Sequence, residues 1–363
     1  MPRARSRRAA CSASTAPKPK RHTIRVRTLR WLLLAIVVIG LSPGTFLRSD
    51  IGRRCDTAVV TVIRVPQRSG VSGDLTLTGA WELTSSHGWF GGFSALVSGK
   101  DAALIAGTDR GWLLDIDLTG PAPRAVPGSY RFVGRRTRGR KEVVDLESLA
   151  RDPATGTLWG AFEGNNIIAR YAPGQATAWR APPAMKRWST NSGPETMLRL
   201  TDGRFVVLAE RATSGSDTVH EGLLFPDDPV KDGPMEGAPP VAFRFIAPAD
   251  YDPVDATQVP AGRVLILLRR VEYAIPARFD TAIAIVDPDA IAFGGLSAEI
   301  VIQRLNGGVF ADNFEGIAFV PSASDPAKGA VWLIADDNFS VFQRSLLVRF
   351  DWNPAVGLDE TTP

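Results

Sequence analysis

The sequence predicts an all-β fold, a β-propeller with six blades and five as the alternative, preceded by an N-terminal signal or anchor helix. Three observations lead there. Turn-forming residues, 34 Gly and 27 Pro in 363, are spread along the chain. Short β-branched or alternating segments recur between them, with no sustained helical period beyond the N-terminus. One motif repeats at blade-sized intervals.

The N-terminus comes first. Residues 1–30 carry ten Arg and Lys and no acid, and read as a basic cytoplasmic n-region. Residues 31–47 open with WLLLAIVVIGL, followed by Ser42-Pro43-Gly44, and read as a hydrophobic signal or anchor segment. Positive charge flanking an apolar run follows the positive-inside pattern. No A-x-A cleavage site follows, so an uncleaved anchor is favoured over a removed signal. The expected location is the periplasm or cell envelope, with the membrane as a partner through this segment.

Beyond residue 30 the balance reverses. The remaining 32 basic residues face 38 acidic ones, a net charge of −6. An acidic fold argues against nucleic acid as a ligand. Cys11 and Cys55 stand alone on either side of the apolar run, so no disulfide framework is possible. His22, His87 and His220 are the only histidines, and none has zinc-site spacing.

The propeller is expected over residues 58–355, leaving 356–363 as a C-terminal tail. Strands are expected at Val59–Val65, Leu75–Leu83, Ala103–Ala106, Trp112–Leu118, Leu158–Glu163, Ile167–Tyr171, Phe205–Glu210, Val264–Arg269, Ala282–Val286, Val331–Ala335 and Leu346–Phe350. The first two are natural partners for the last, closing the ring with both chain ends. Residues 135–141 (RRTRGRK) and 226–240 (PDDPVKDGPMEGAPP) read as exposed connections.

Each repeat runs from a small or acidic loop through a short apolar strand and a turn to a second strand ending in charge. Aligning Ser94, Glu147, Glu195, Asp255 and Glu315 gives steps of 53, 48, 60 and 60 residues, each long enough for a four-stranded blade. In a propeller, equivalent positions converge on one axis. Glu147, Glu195, Asp255 and Glu315 would then form a carboxylate ring, with Ser94 a small packing residue in the first repeat. Like charges so close need a hard cation among them or raised pKa values, and calcium suits an oxygen-only ligand set. The structural alternative is that each acid accepts backbone N–H bonds and fixes blade packing.

A second set of charges lies at the ends of the next strands: Asp109-Arg110, Glu163, Glu210-Arg211, Arg269-Arg270 and Asp336-Asp337-Asn338. Arginine forks match phosphate oxygens, while a cation withdraws charge from a phosphoryl group and activates water. Arg110, Arg211 and Arg270 are the candidates to contact an anionic substrate, and Asp336 joins the candidate metal ligands. Inter-blade salt bridges are the structural alternative. No G-x-S-x-G, Walker loop, G-x-G-x-x-G or haem attachment motif occurs, which disfavours serine hydrolase, nucleotide and redox chemistry.

DLESLA with LWGAFEGNNIIARY, SGPETMLRLTDGRFVVLAER, and NFEGIAF with VWLIADDNF together resemble the bacterial family described as having esterase-like activity of phytase. The resemblance spans roughly Gly73 to Trp352, and the fourth repeat departs most from its pattern. It implies a propeller, export, and metal-assisted hydrolysis of a phosphoester or other ester. On that reading Glu147, Glu195 and Glu315 are catalytic, and they share the divalent cation with Asp255 and Asp336. A non-catalytic ligand- or protein-binding propeller and a lactonase-like metal hydrolase are the alternatives.

Overall fold

The computed structural model describes residues 28–34, 36, 59–66, 71–72, 74–135, 143–231, 239–272, 278–293, 295–298, 301–305 and 310–353. The chain divides into two units, Met1–Leu47 and Arg48–Pro363. In the first, residues 28–34 and 36 are helical. Among the described residues no helix is long and apolar enough to cross a membrane. Residues 1–27, most of the apolar segment, both cysteines, most of the basic loop and the C-terminal tail lie outside the described residues.

The second unit is a propeller of five blades. Strands β1 (Val60–Arg64), β2 (Val71–Ser72) and β3 (Leu75–Ser85) precede the first of them. Blade 1 holds β4 (Phe93–Ser98), β5 (Ala103–Thr108), β6 (Trp112–Asp117), β7 (Arg124–Ala125) and β8 (Arg131–Phe132). Blade 2 is β9 (Leu146–Arg151), β10 (Leu158–Phe162), β11 (Ile167–Tyr171) and β12 (Ala178–Arg180). Blade 3 begins with β13 (Pro194–Arg199), β14 (Phe205–Ala212), β15 (Val219–Phe225) and β16 (Val241–Ile246). Blade 4 is β17 (Asp252–Gln258), β18 (Val264–Glu272) and β19 (Arg278–Val286); the chain then adds β20 (Gly295–Ser297) parallel to β16 of blade 3 before β21 (Val301–Leu305) completes blade 4. Blade 5 is β22 (Asn313–Pro321), β23 (Gly329–Asp336) and β24 (Leu346–Trp352).

The expected pairing of the chain ends holds for β3, which runs antiparallel to β24 from Leu75↔Trp352 to Glu82↔Leu346. β1 lies one strand further out, against β3 rather than β24. This closure corrects the blade number from six to five. The N-terminal strands complete blade 5 instead of founding a sixth. The two 60-residue intervals hold the 226–240 connection between β15 and β16 and the return of β20 to blade 3.

Apolar packing counts the blades independently, with one described cluster of buried residues per interface. Ala95, Leu113, Leu146 and Phe162 join blades 1 and 2. Trp159, Met197, Phe205 and Val207 join blades 2 and 3. Leu208, Phe245, Ile266 and Ala284 join 3 and 4, and Leu267, Ile283, Phe314 and Leu333 join 4 and 5. Leu83, Leu104, Leu114 and Ile334 seal 5 against 1. Central strands are buried on both faces, so Val264–Leu268 (VLILL) is continuously apolar, with alternate residues serving opposite neighbours.

The innermost strands β4, β9, β13, β17 and β22 neighbour one another around the axis. Each carries one β-bulge at the same point of its pairing with the second strand, at Ser94, Glu147, Glu195, Val254 and Glu315. A bulge inserts an unpaired residue and re-aims its side chain.

Candidate functional site

The bulges put the repeat acids in strands, where the sequence reading had put them in loops. They also shift its register in blade 4. There the residue equivalent to Glu147, Glu195 and Glu315 is Val254, and Asp255 stands one place later, level with Ala95, Ser148, Thr196 and Gly316. That next layer is mostly small residues because five inner strands converge on it. A Cβ on Gly316 would lie 2.8 Å from the backbone nitrogen of Leu96.

Asp255 is fully buried in this layer and ties blades together. It accepts from the Ile317 N–H at 2.9 Å and from Ser148 Oγ at 3.0 Å, and Ser148 Oγ in turn accepts the Met197 N–H at 2.9 Å. Burial pushes its carboxyl well up, against the pull of these donors. Its partners are structural, as in the alternative reading of the repeat acids. Ser94 behaves similarly, donating to the Leu146 carbonyl at 2.5 Å.

Glu147, Glu195 and Glu315 do come together, and further acids join them. Oxygens of Asp145, Glu147 and Glu163 lie within 4.8 Å of one another, as do those of Glu163, Glu195 and Glu210. Glu147 is pushed well up by burial, then by the charges of Glu195, Asp145, Glu315 and Asp109. Glu195 is raised by burial and by Glu210 and Glu315, and Asp336 by burial, Glu315 and Asp109. Asp109 is raised to about 8, chiefly by burial, and Glu163 to about 7 and Asp252 to about 6, also led by burial. One end of the channel is therefore lined by carboxylates from every blade.

One buried guanidinium bridges part of this charge. Arg269 donates to Glu315 and to Asn313 Oδ1 at 3.1 Å from Nη1, and to Glu210 at 2.7 Å from Nη2. Burial opposes its charge, but Glu315, Glu210 and Glu195 outweigh burial and hold it more firmly protonated than a free arginine. Arg269 joins blades 3, 4 and 5, and Asn313 Nδ2 also donates to Glu315 at 2.7 Å.

The candidate arginines separate. Arg110 stacks on Trp89 at 4.6 Å and Phe339 at 3.8 Å, beside Asp109. Arg211 is mostly exposed, its Nε 3.9 Å from Glu210. Arg270 lies away from the carboxylates, bound to Asp280 at 2.6 Å over the ring of Tyr251. Successive strand residues point to opposite faces, so Arg269 and Arg270 cannot share a site.

Local backbone fits the close approach of these acids. Gly92 has φ +67°, and a Cβ there would sit 2.3 Å from Asp109 Oδ1; its N–H donates to Asp337 at 3.2 Å. Asp337, fully buried, also accepts from Phe339 N and Ser345 Oγ, so it fixes the loop after β23 while Asp336 faces the acids. The Gly193 N–H donates to Glu163 at 3.2 Å. Sequence reasoning missed Asp145, Asp252 and the central part of Arg269. The signal lay two residues before each bulge, where Gly92, Asp145, Gly193, Asp252 and Asn313 are equivalent once blade 4 is shifted by one.

Fold and site together define a five-bladed propeller whose channel mouth is lined with carboxylates able to take a hard cation: the donors are all oxygen, converge within 4.8 Å and are only partly neutralised by arginine. The chain belongs to the phytase-like family, described as esterase-like activity of phytase, which matches residues 88–339. No curated protein matches. Among solved structures, the chain is similar to hydrazine synthase of Kuenenia stuttgartiensis at 13% identity and TM-score 0.33, over 68% of this chain and 57% of that one. It is similar to the WD40 propeller domain of Doa1 at 10% identity and TM-score 0.36, over 78% and 98% of the two chains. The Cps50 (Swd1) propeller domain of Myceliophteria thermophila matches at 11% identity and TM-score 0.34, over 85% and 100%.

Proposed function

We propose that this protein hydrolyses an ester, most readily a phosphoester, at the carboxylate-lined channel mouth with a divalent cation, calcium by its ligand preference. The observation that carries the reading is the pair of carboxylate clusters sharing Glu163, set among buried acids whose charges raise one another's pKa. Desolvating so many like charges is unfavourable unless a cation or protons offset them. When bound, the cation supplies Lewis-acid polarisation and a lowered water pKa.

The chain's own residues do the rest. Asp145, Glu147, Glu163, Glu195 and Glu210 would hold the cation, with Asp336 and Glu315 around them. Arg269 bonds Glu210 and Glu315 and holds both in place. Arg110, braced by two aromatic rings, and exposed Arg211 are the guanidinium groups available to an anionic group at the rim. Asp109, its carboxyl pushed up to about 8 chiefly by burial when no cation is bound, is the candidate acid for a leaving oxygen. Envelope location and membrane attachment belong to the same proposal, supported by the basic segment and apolar run alone.

The test is hydrolysis of p-nitrophenyl phosphate and p-nitrophenyl acetate by the full chain, with calcium and with chelator. Calcium-dependent turnover lost in Glu147→Gln and Glu195→Gln is the expected result. Calcium binding without turnover of either ester selects a ligand-binding propeller, and preference for a lactone over both selects the lactonase-like reading.

A further inference from the structure

The propeller face opposite the carboxylates holds a cavity of about 440 Å³ between blades 5 and 1. It is covered by the blade 1 turn that includes Leu118, Pro121 and Pro123 and floored by the β22–β23 turn. Its wall is the side of the closing sheet that faces blade 1. There Trp332 of β23 is the register partner of Arg349 of β24, which opposes Gly79 of β3. Gly79 leaves room for the ring of Trp81, two residues on: a Cβ at Gly79 would stand 2.1 Å from Trp81 Cη2. The two indoles stack at 5.6 Å with 30° between their planes.

Polar groups complete the wall. The Arg349 guanidinium lies 5.9 Å from the Trp332 ring centre and pairs with Asp351 at 2.8 Å, both side chains nearly half exposed. Among the described residues, four donors of side chains lining the cavity have no acceptor: Nε1 of Trp81, Trp332 and Trp352, and Nε of Arg349. Trp81, Trp332 and Trp352 are buried, at 6%, 4% and 4% exposure. A buried indole N–H ordinarily finds a partner, so four unsatisfied donors around one cavity need an explanation.

Each ligand class meets this wall differently. A hydrocarbon would leave the donors and the charged groups unused, and an anion, though Lys328 and Arg349 line the cavity, would have to break the Arg349–Asp351 pair and meet the Asp351 carboxylate. A ring with an apolar face and a rim of hydroxyls uses the indole pair, the free donors and the Arg349–Asp351 pair together. We propose that this cavity is a second ligand site, for a neutral saccharide. The sugar ring lies against the Trp81–Trp332 pair, its hydroxyls accept from Arg349 and donate to Asp351, and rotation of either indole presents its N–H to a sugar oxygen. The volume is within the range of small-ligand pockets, about 300–1,000 Å³.

The test titrates the full chain with glucose, galactose, mannose and N-acetylglucosamine in turn, read by tryptophan fluorescence and calorimetry. At least one sugar is expected to bind saturably, about tenfold or more weakly in Asp351→Asn and in Trp332→Phe, as loss of a hydrogen bond to a charged group or an indole predicts. Glu147→Gln should leave sugar binding unchanged. The proposal is overturned if none of the four binds with Kd below about 10 mM, or if binding survives both substitutions. Asp351→Asn, in a partly exposed side chain, carries the result alone should Trp332→Phe not fold.

Discussion

At the scale of single residues, the acids at the channel differ in what surrounds them rather than in type. Glu195 faces other carboxylates, while Asp255 faces an N–H and a hydroxyl. Asp255→Ala should strand Ile317 N–H and Ser148 Oγ, at about 1–3 kcal/mol each, and leave calcium affinity unchanged. Glu195→Gln should do the reverse, weakening calcium about tenfold or more with little loss of stability. Urea unfolding and calcium titration of the two variants separate the roles; an Asp255 variant that loses calcium would return it to the ligand set. Arg269→Met should lower stability by about 3–5 kcal/mol, the range for breaking a buried ion pair, because Glu210 and Glu315 lose their shared partner. The urea midpoint measures it, and an unchanged midpoint would show that the pair contributes nothing. Gly92→Ala must hold φ +67° against Asp109, which should cost about 1–3 kcal/mol.

At the scale of elements, the inner strand with its bulge is the functional unit. Four of the five bulges carry Ser or Glu, and the fifth carries Val254, which packs in the core between blades 4 and 5. Most second and third strands were legible because β-branched and apolar residues run between turn signals, whereas the outermost strands β7, β8, β12, β16, β20 and β21 matched no expected segment. The inner strands were not, since PETMLR and LESLAR carry charge inside a strand and read as loops until the channel gives that charge somewhere to go. The bulge is marked only by a Gly, Asp or Asn two residues before it, a signal too common to read without the register. Every inner strand carries the same bulge, so it shifts no repeat against another; Asp255 stood in for Val254 because the alignment matched acid to acid, and Asp252 escaped notice with it. The pairing of Arg269 with the acids, and of Arg270 with Asp280, follows from strand alternation, which becomes predictive only when the register of β18 is known.

At the scale of the whole molecule, the raised carboxyls link stability to pH. Asp252, Glu163 and Asp109 titrate at about 6, 7 and 8 in the fold, against about 4 in an unfolded chain. The fold thus binds their protons more tightly than the unfolded chain does. Their contribution is full below pH about 4 and is lost as pH rises through these folded values. With chelator, the melting temperature of the full chain should fall between pH about 4 and 8, and calcium should reduce that fall by replacing the protons. A melting temperature that rises over this window, or ignores calcium, would contradict a cation-ready channel mouth.

The amino-acid sequence by itself determined the class of fold, the family, the acidic character of the propeller and the recurrence of Glu147, Glu195 and Glu315, because turn residues, apolar strands and repeated motifs are local signals. Only the tertiary structure decided the number of blades, the fate of the N-terminal strands and which charges meet. β3 and β24 are joined across more than 250 residues, and a carboxylate's neighbours on the axis come from five different sheets. Both depend on ring closure, a property of how blades pack, and no stretch of chain short enough to read as a motif contains it.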